Sequence, residues 1–174
     1  MNMENLYLNG IEEASNTQIL IENVLIIGLI TSGAVLTSLF QVKNIPVISV
    51  GYILFTVIML GVVLRKHLCT ACWYYGKKCH CGWGKLAEKL FKQNSGNKKI
   101  GAIGGNLTWG LIMIFPLLTF ITYAVFNQTV RANWVGLGVF LGFVIINGVL
   151  HKKSCTNCIM RVICPGSAAK KVNC

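Results

Sequence analysis

The chain has 174 residues, of which 54% are hydrophobic and 12% charged, yet 16 Lys and Arg against 5 acidic residues leave a net charge of +11. Such apolar content argues against an intrinsically disordered protein, and a charged fraction so far below the usual quarter argues against an ordinary soluble domain. The cations flank long apolar runs instead of forming one basic surface, so nucleic acid is not an expected partner.

Residues 1–18 form a polar, acidic N-terminal segment; four of the five acids (Glu4, Glu12, Glu13 and Glu22) precede the first apolar run and the fifth is Glu88. Four uncharged runs follow, at 23–40, 45–64, 100–126 and 132–150. A membrane-spanning helix needs roughly 20 such residues, so the expected spans are about 23–40, 45–64, 104–126 and 132–150. The first run follows acidic and polar residues instead of a basic leader, so a cleavable signal is not expected there. Between the second and third spans lie a Cys-rich loop (65–81), a basic amphipathic stretch (82–92) and a polar linker (93–99). After the fourth comes a Cys-rich tail, 151–174. In the amphipathic stretch Trp83, Leu86, Ala87, Leu90 and Phe91 recur at helical spacing, opposite Lys85, Lys89 and Lys92. That pattern predicts a helix lying in the headgroup plane.

Cation placement predicts a side. The segment 65–99 and the tail hold 14 of the 16 cations, whereas the two short loops on the other face hold only Lys43 and Arg131. The positive-inside rule then makes the loop, the tail and both termini cytoplasmic in a multi-pass cell-membrane protein. Anionic headgroups are the matching lipid surface.

Residues 63–72 (VLRKHLCTAC) and 149–158 (VLHKKSCTNC) agree at six of ten positions, at an offset of 86 that also carries the first span onto the third and the second onto the fourth. The expected fold is therefore an all-α integral membrane protein: a four-transmembrane-helix bundle built as a tandem, parallel repeat of two spans plus a cytoplasmic Cys-rich segment. The first repeat runs over 19–92 and the second over 100–174, related by a pseudo-two-fold axis along the membrane normal.

All eight cysteines lie outside the expected spans, as Cys69-x2-Cys72-x6-Cys79-x-Cys81 and Cys155-x2-Cys158-x5-Cys164, with Cys174 last. A Cys-x2-Cys pair presents two thiolates to one ion from a single turn, and nearby cysteines close the coordination. Cys69, Cys72, Cys79, Cys81, Cys155, Cys158 and Cys164 are accordingly the expected metal ligands. An iron–sulfur cluster is the leading cofactor and zinc the alternative. Two arrangements are open: one cluster per repeat, completed by Cys81 and by Cys174, or one shared cluster where the two Cys-x2-Cys pairs meet. A reducing cytoplasm disfavours disulfides.

The three histidines stand beside these motifs. His67 and His151 read as basic surface residues at span exits, while His80 cannot easily reach one ion together with both Cys79 and Cys81, so an outer position is expected for it. Trp73, Tyr74 and Tyr75 read as interfacial anchors. No span carries a charged residue or histidine at its middle, which argues against a proton-coupled transporter. Asn106 and Asn147 are expected to bond neighbouring helices, and the pairs Gly101/Gly105 and Gly138/Gly142 to permit close helix contact.

Nothing in the chain resembles a nucleotide loop or a catalytic triad, and no catalytic residue is assigned. The expected function is an electron-transfer or cofactor-bearing subunit of a membrane complex, working with partner subunits or as a homo-oligomer. Two alternatives are a zinc-stabilised assembly protein and a membrane thiol–disulfide oxidoreductase using the two Cys-x2-Cys pairs.

Overall fold

The computed structural model describes residues 6–41, 43–126 and 134–169. These residues are all-helical apart from turns and one isolated bridge, with five helices: α1 (Asn16–Thr37), α2 (Val47–Ala71), α3 (Trp83–Leu90), α4 (Lys98–Phe126) and α5 (Trp134–Thr156). All but α3 are long and apolar enough to cross a membrane.

Each long helix overruns the apolar run that predicts it, because charge interrupts hydropathy without ending a helix. Capping sets the real ends. The Ser15 hydroxyl accepts from the Gln18 N–H at 3.1 Å and starts α1 seven residues before the apolar run, which carries Glu22 into the helix. Asn97 Oδ1 accepts from the N–H of Lys99 (2.9 Å) and of Ile100 (3.4 Å), an N-cap that starts α4 inside the expected linker. The segment 65–81, expected as a loop, begins as helix: α2 runs on through a π-helical turn at Met59–Val63, a further α-turn at Leu64–His67 and a 3-10 turn at Cys69–Ala71. Likewise α5 continues past Leu150 to Thr156 and takes Cys155 with it. The amphipathic helix is shorter than its pattern, since Gly82 enters with a left-handed φ of 71° and Phe91 is already extended.

Helix α1 is central, packing against α2, α4 and α5, whereas α4 and α5 barely touch. The bundle core is Ile26, Leu29, Leu36, Leu60, Leu64, Ile112, Phe120 and Phe140. Close approach occurs at Gly28, where a Cβ would meet the Phe143 ring at 2.4 Å, and at Gly33, where it would meet the Tyr52 hydroxyl at 2.6 Å and Pro116 at 3.1 Å. Gly101 and Gly105 lie against Leu68 as their spacing predicts, but Gly138 and Gly142 face open space. Spacing alone does not say which side of a helix has a neighbour.

Pro116 sits inside α4 without breaking it. Lacking an N–H, it leaves the Ile112 carbonyl short of its helical donor; the Tyr52 hydroxyl of α2 donates to that carbonyl at 3.3 Å. Asn147 of α5 donates to the Leu25 carbonyl of α1 at 3.1 Å, an interhelical bond of the expected kind, whereas Asn106 is exposed.

Candidate metal centre

Both cysteine-rich segments leave their helices at the same end of the bundle and fold onto each other. Their turns are built alike. Cys72 N–H donates to Cys69 O at 3.2 Å and Cys158 N–H to Cys155 O at 3.2 Å; Tyr75 N–H donates to Cys72 O and Arg161 N–H to Cys158 O, each at 3.1 Å. Thr70 and Thr156, the second residue of each turn, both bond back into the preceding helix at 2.6 Å. Further along the offset shortens to 85: Gly82 N–H donates to Cys79 O (2.8 Å) and Ser167 N–H to Cys164 O (3.2 Å). Cys79 and Cys164 thus occupy like places, and Cys81 has no cysteine opposite it.

A small apolar core of Tyr74, Ile159 and Met160 joins the two segments, with Cys72, Cys79, Cys158 and Cys164 packed against it. Tyr74 is therefore buried at 6% exposure and not the interfacial anchor its neighbourhood predicts. Its hydroxyl donates to Ile11 O at 2.5 Å and accepts from the Ile159 N–H at 3.2 Å. The N-terminal segment closes over this junction. Tyr7 N–H donates to Ile159 O (3.0 Å), Ile11 N–H to Asn157 O (2.8 Å) and Ala14 N–H to Lys78 O (2.8 Å).

All seven described cysteines are free thiols; Cys174 lies outside the described residues. Burial pushes the Cys72 thiol up to about 12, and the nearby Cys69, Cys164 and Cys79 sulfurs add to the rise. Burial also raises Cys158 and Cys164. Such thiols keep their protons until an ion displaces them. Cys69 has Cys79 and Cys164 among its neighbours too; the same long-range charge coupling links Cys81 to Cys69 and Cys79, and Cys155 and Cys158 to Cys164. Cys155 also approaches His151 Nε2 at 3.5 Å, and that nitrogen lies 3.1 Å from Gly166 O. Cys158 lies beside the Tyr74 hydroxyl.

Cys81 packs against the bundle core beside α1, with Cys79 and Cys69 still among its charged neighbours. Its S–H donates to Glu22 Oε2 at 3.4 Å, and His80 Nε2 lies 3.7 Å from the same oxygen. Among the described residues, Glu22, His80 and Cys81 are the group of three whose ligand atoms all fall within 4.8 Å of one another; no three cysteine sulfurs do. Burial raises Cys81 well above the usual thiol range, the Glu22 carboxylate adding to it, and burial lowers His80 against the opposing pull of Glu22. The other Glu22 oxygen, Oε1, accepts from the Ser154 hydroxyl of α5 and from Gln18 Nε2 at 3.4 Å. The expected difficulty for His80 holds for an ion shared with both flanking cysteines; it vanishes when Cys81 and Glu22 are the other donors. Glu22 is the residue that sequence reasoning missed, and its place inside a helix next to an apolar run was the available signal. His67 behaves as expected of a surface residue, its Nδ1 accepting from the Asn97 N–H at 2.9 Å. Comparison with protein-family models, with curated proteins and with solved structures finds no match to this chain.

Proposed function

We propose that this is a multi-pass membrane protein whose thiol-rich end holds an iron–sulfur centre, making it an electron-transfer or cofactor-bearing subunit of a membrane complex. The observation that carries the reading is the convergence of Cys72 and Cys79 with Cys158 and Cys164 on one buried core, from segments about half a chain apart. Cysteines kept as free thiols in such a packed junction are suited to a shared inorganic centre. The ligands we assign are Cys69, Cys72, Cys79 and Cys164; Cys155 and Cys158 already face His151 and Tyr74.

The thiol count supports an iron–sulfur centre: the two segments together supply the four cysteines that such a cluster takes. Bound there, such a centre would supply one-electron transfer. The chain's own part is to hold the four thiols, to keep water out with Trp73 and Tyr74, whose rings meet edge to face at 4.9 Å, and to bring Lys77 Nζ over the Trp73 ring at 3.5 Å.

The matching turns around 69–79 and 155–164 support a duplicated unit of two spans plus a cysteine segment. The distribution of 14 of 16 cations supports a cytoplasmic, reducing location for the thiols and contact with anionic headgroups. The exposed Leu86 and Leu90 of α3 suit an interfacial position for that helix. Electron transfer needs a donor and an acceptor, so protein partners or a second copy belong to this reading.

The test is anaerobic purification in detergent, with iron, acid-labile sulfide, zinc and the absorption spectrum measured together. Iron and sulfide in matching amounts, lost in Cys72→Ser and Cys164→Ser, are the expected result. Stoichiometric zinc that those same variants lose would replace this reading with the structural zinc protein, and metal-free protein with reducible disulfides would replace it with thiol–disulfide exchange.

A further inference from the structure

We propose that Glu22, His80 and Cys81 form a second metal site, separate from the thiol core, which binds one divalent ion of zinc type. Three observations converge on it. The first is geometry: a carboxylate oxygen, an imidazole nitrogen and a thiol sulfur, drawn from α1 and from a turn 58 residues later, share one point in space with Cys81 Sγ and His80 Nε2 at 3.4 and 3.7 Å from Glu22 Oε2. The mixed sulfur, nitrogen and oxygen set suits zinc among the divalent first-row ions.

The second is the buried carboxylate itself. Glu22 is 8% exposed, and among the described residues the basic group within ion-pair distance is His80 alone; no Lys or Arg reaches it. His151, its ring 6.0 Å from that of His80, also acts on Glu22 through charge but from beyond ion-pair distance; a buried carboxylate without a direct charged partner is costly, and a divalent ion at this point supplies that charge. Ser154 and Gln18 hold the distal oxygen Oε1, which leaves Oε2 aimed at the His80 and Cys81 donors. Outer partners of this sort are what fix a carboxylate ligand in place.

The third is that the arrangement belongs to one half of the chain. Counting from Cys79 and Cys164, His80 and Cys81 fall opposite Pro165 and Gly166, and at the offset of 86 Glu22 falls opposite Thr108. All three donors are therefore found where the halves differ, whereas the cysteines of the thiol core are found where they agree. Three protein ligands leave a fourth position of a tetrahedral ion open. A small cleft lined by Gln18, Tyr74, Ser154, Asn157 and Cys158 adjoins His80 and has room for a water.

The experiment uses the full chain, stripped of loosely held metal, with Co²⁺ as the spectroscopic probe and zinc measured by mass spectrometry. The expected result is one equivalent of Co²⁺ bound with a charge-transfer band of single-thiolate intensity. Glu22→Gln, His80→Gln and Cys81→Ser should each weaken Co²⁺ and zinc binding by at least about tenfold, the loss that removing even an outer partner produces, with iron and sulfide unchanged. Wild-type affinity in these variants would overturn the site, as would loss of iron in Cys81→Ser, which would return Cys81 to the thiol core. Should a variant fail to fold, the spectrum of iron-loaded wild type still decides: no added thiolate band, or one with the intensity of several thiolates, overturns the proposal. Absence of iron would sink the electron-transfer reading and open the thiol core to Co²⁺, so the site is then read in Cys72→Ser/Cys164→Ser protein, where a single-thiolate band is the expected result and its absence overturns the proposal.

Discussion

Ser154 reaches across from α5 to bond Glu22 Oε1, and Gln18 bonds both of them, at 3.4 Å to the carboxylate and 3.2 Å to the serine oxygen. If Glu22 is a ligand, Ser154 positions it without touching the ion. Ser154→Ala should then lower Co²⁺ affinity at the Glu22–His80–Cys81 site about tenfold while leaving iron content unchanged, as read by competition with a chelator. A purely structural Ser154 would lower the melting temperature and leave the affinity alone. Tyr52 offers a second test at this scale, since its hydroxyl is the donor that Pro116 denies to the Ile112 carbonyl. Tyr52→Phe keeps the ring stacked on Phe115 at 6.4 Å and strands that carbonyl, so it should cost about 1–3 kcal/mol in detergent unfolding. Neither contact follows from spacing. Glu22 is 58 residues from His80 and 132 from Ser154, so only tertiary folding brings them together, whereas the cysteines could be found from the sequence because each motif is closed by a local turn.

The four long helices were legible because a run of about 20 apolar residues has few other uses; their ends were not. Ser15 and Asn97 are ordinary polar residues until their side-chain oxygens are seen capping α1 and α4. The Ser15 cap brings Glu22 into α1, while Arg65, His67, Cys69 and Cys155 belong to helices that run on past the charges ending their apolar runs. The packing faces were likewise hidden. A Gly-x3-Gly pair promises close approach only if a neighbour exists on that side, and α5 offers Gly138 and Gly142 to open space while Gly28 of α1 takes the Phe143 ring. Gly28→Ala should therefore destabilise the bundle by roughly 1–3 kcal/mol, the usual range for overpacking. Gly138→Ala and Gly142→Ala should be neutral or raise stability by up to about 1 kcal/mol through helix propensity. Thermal unfolding of the three variants in one detergent compares them directly, and a loss in Gly138→Ala comparable to that of Gly28→Ala would mean that α5 has a packing partner on that face.

At the scale of the whole molecule, the residues with chemistry are gathered at one end: the two cysteine segments, the N-terminal segment that clasps them through Ile11 and Ala14, and the Glu22 carboxylate just inside α1. The expectation of two spans between the cysteine segments anticipated that both share a face, since two spans return the chain to the side it left. It could not anticipate that they would interlock around Tyr74, because interdigitation depends on Ile159 and Met160, which look like any apolar residues in a basic tail. Which side of a membrane this end occupies bears directly on its chemistry. A reducing compartment keeps the thiols free for metal, while an oxidising one favours pairing them. The charge distribution predicts the cytoplasmic side: green fluorescent protein fused to the C-terminus should fluoresce in cells, and alkaline phosphatase inserted beside Lys43, in the short loop at the other end, should be active. The reversed pattern would expose Cys69, Cys72, Cys79 and Cys164 to oxidation, and these thiols, the ligands proposed for iron, should then be recovered as disulfides that block alkylation until a reductant is added.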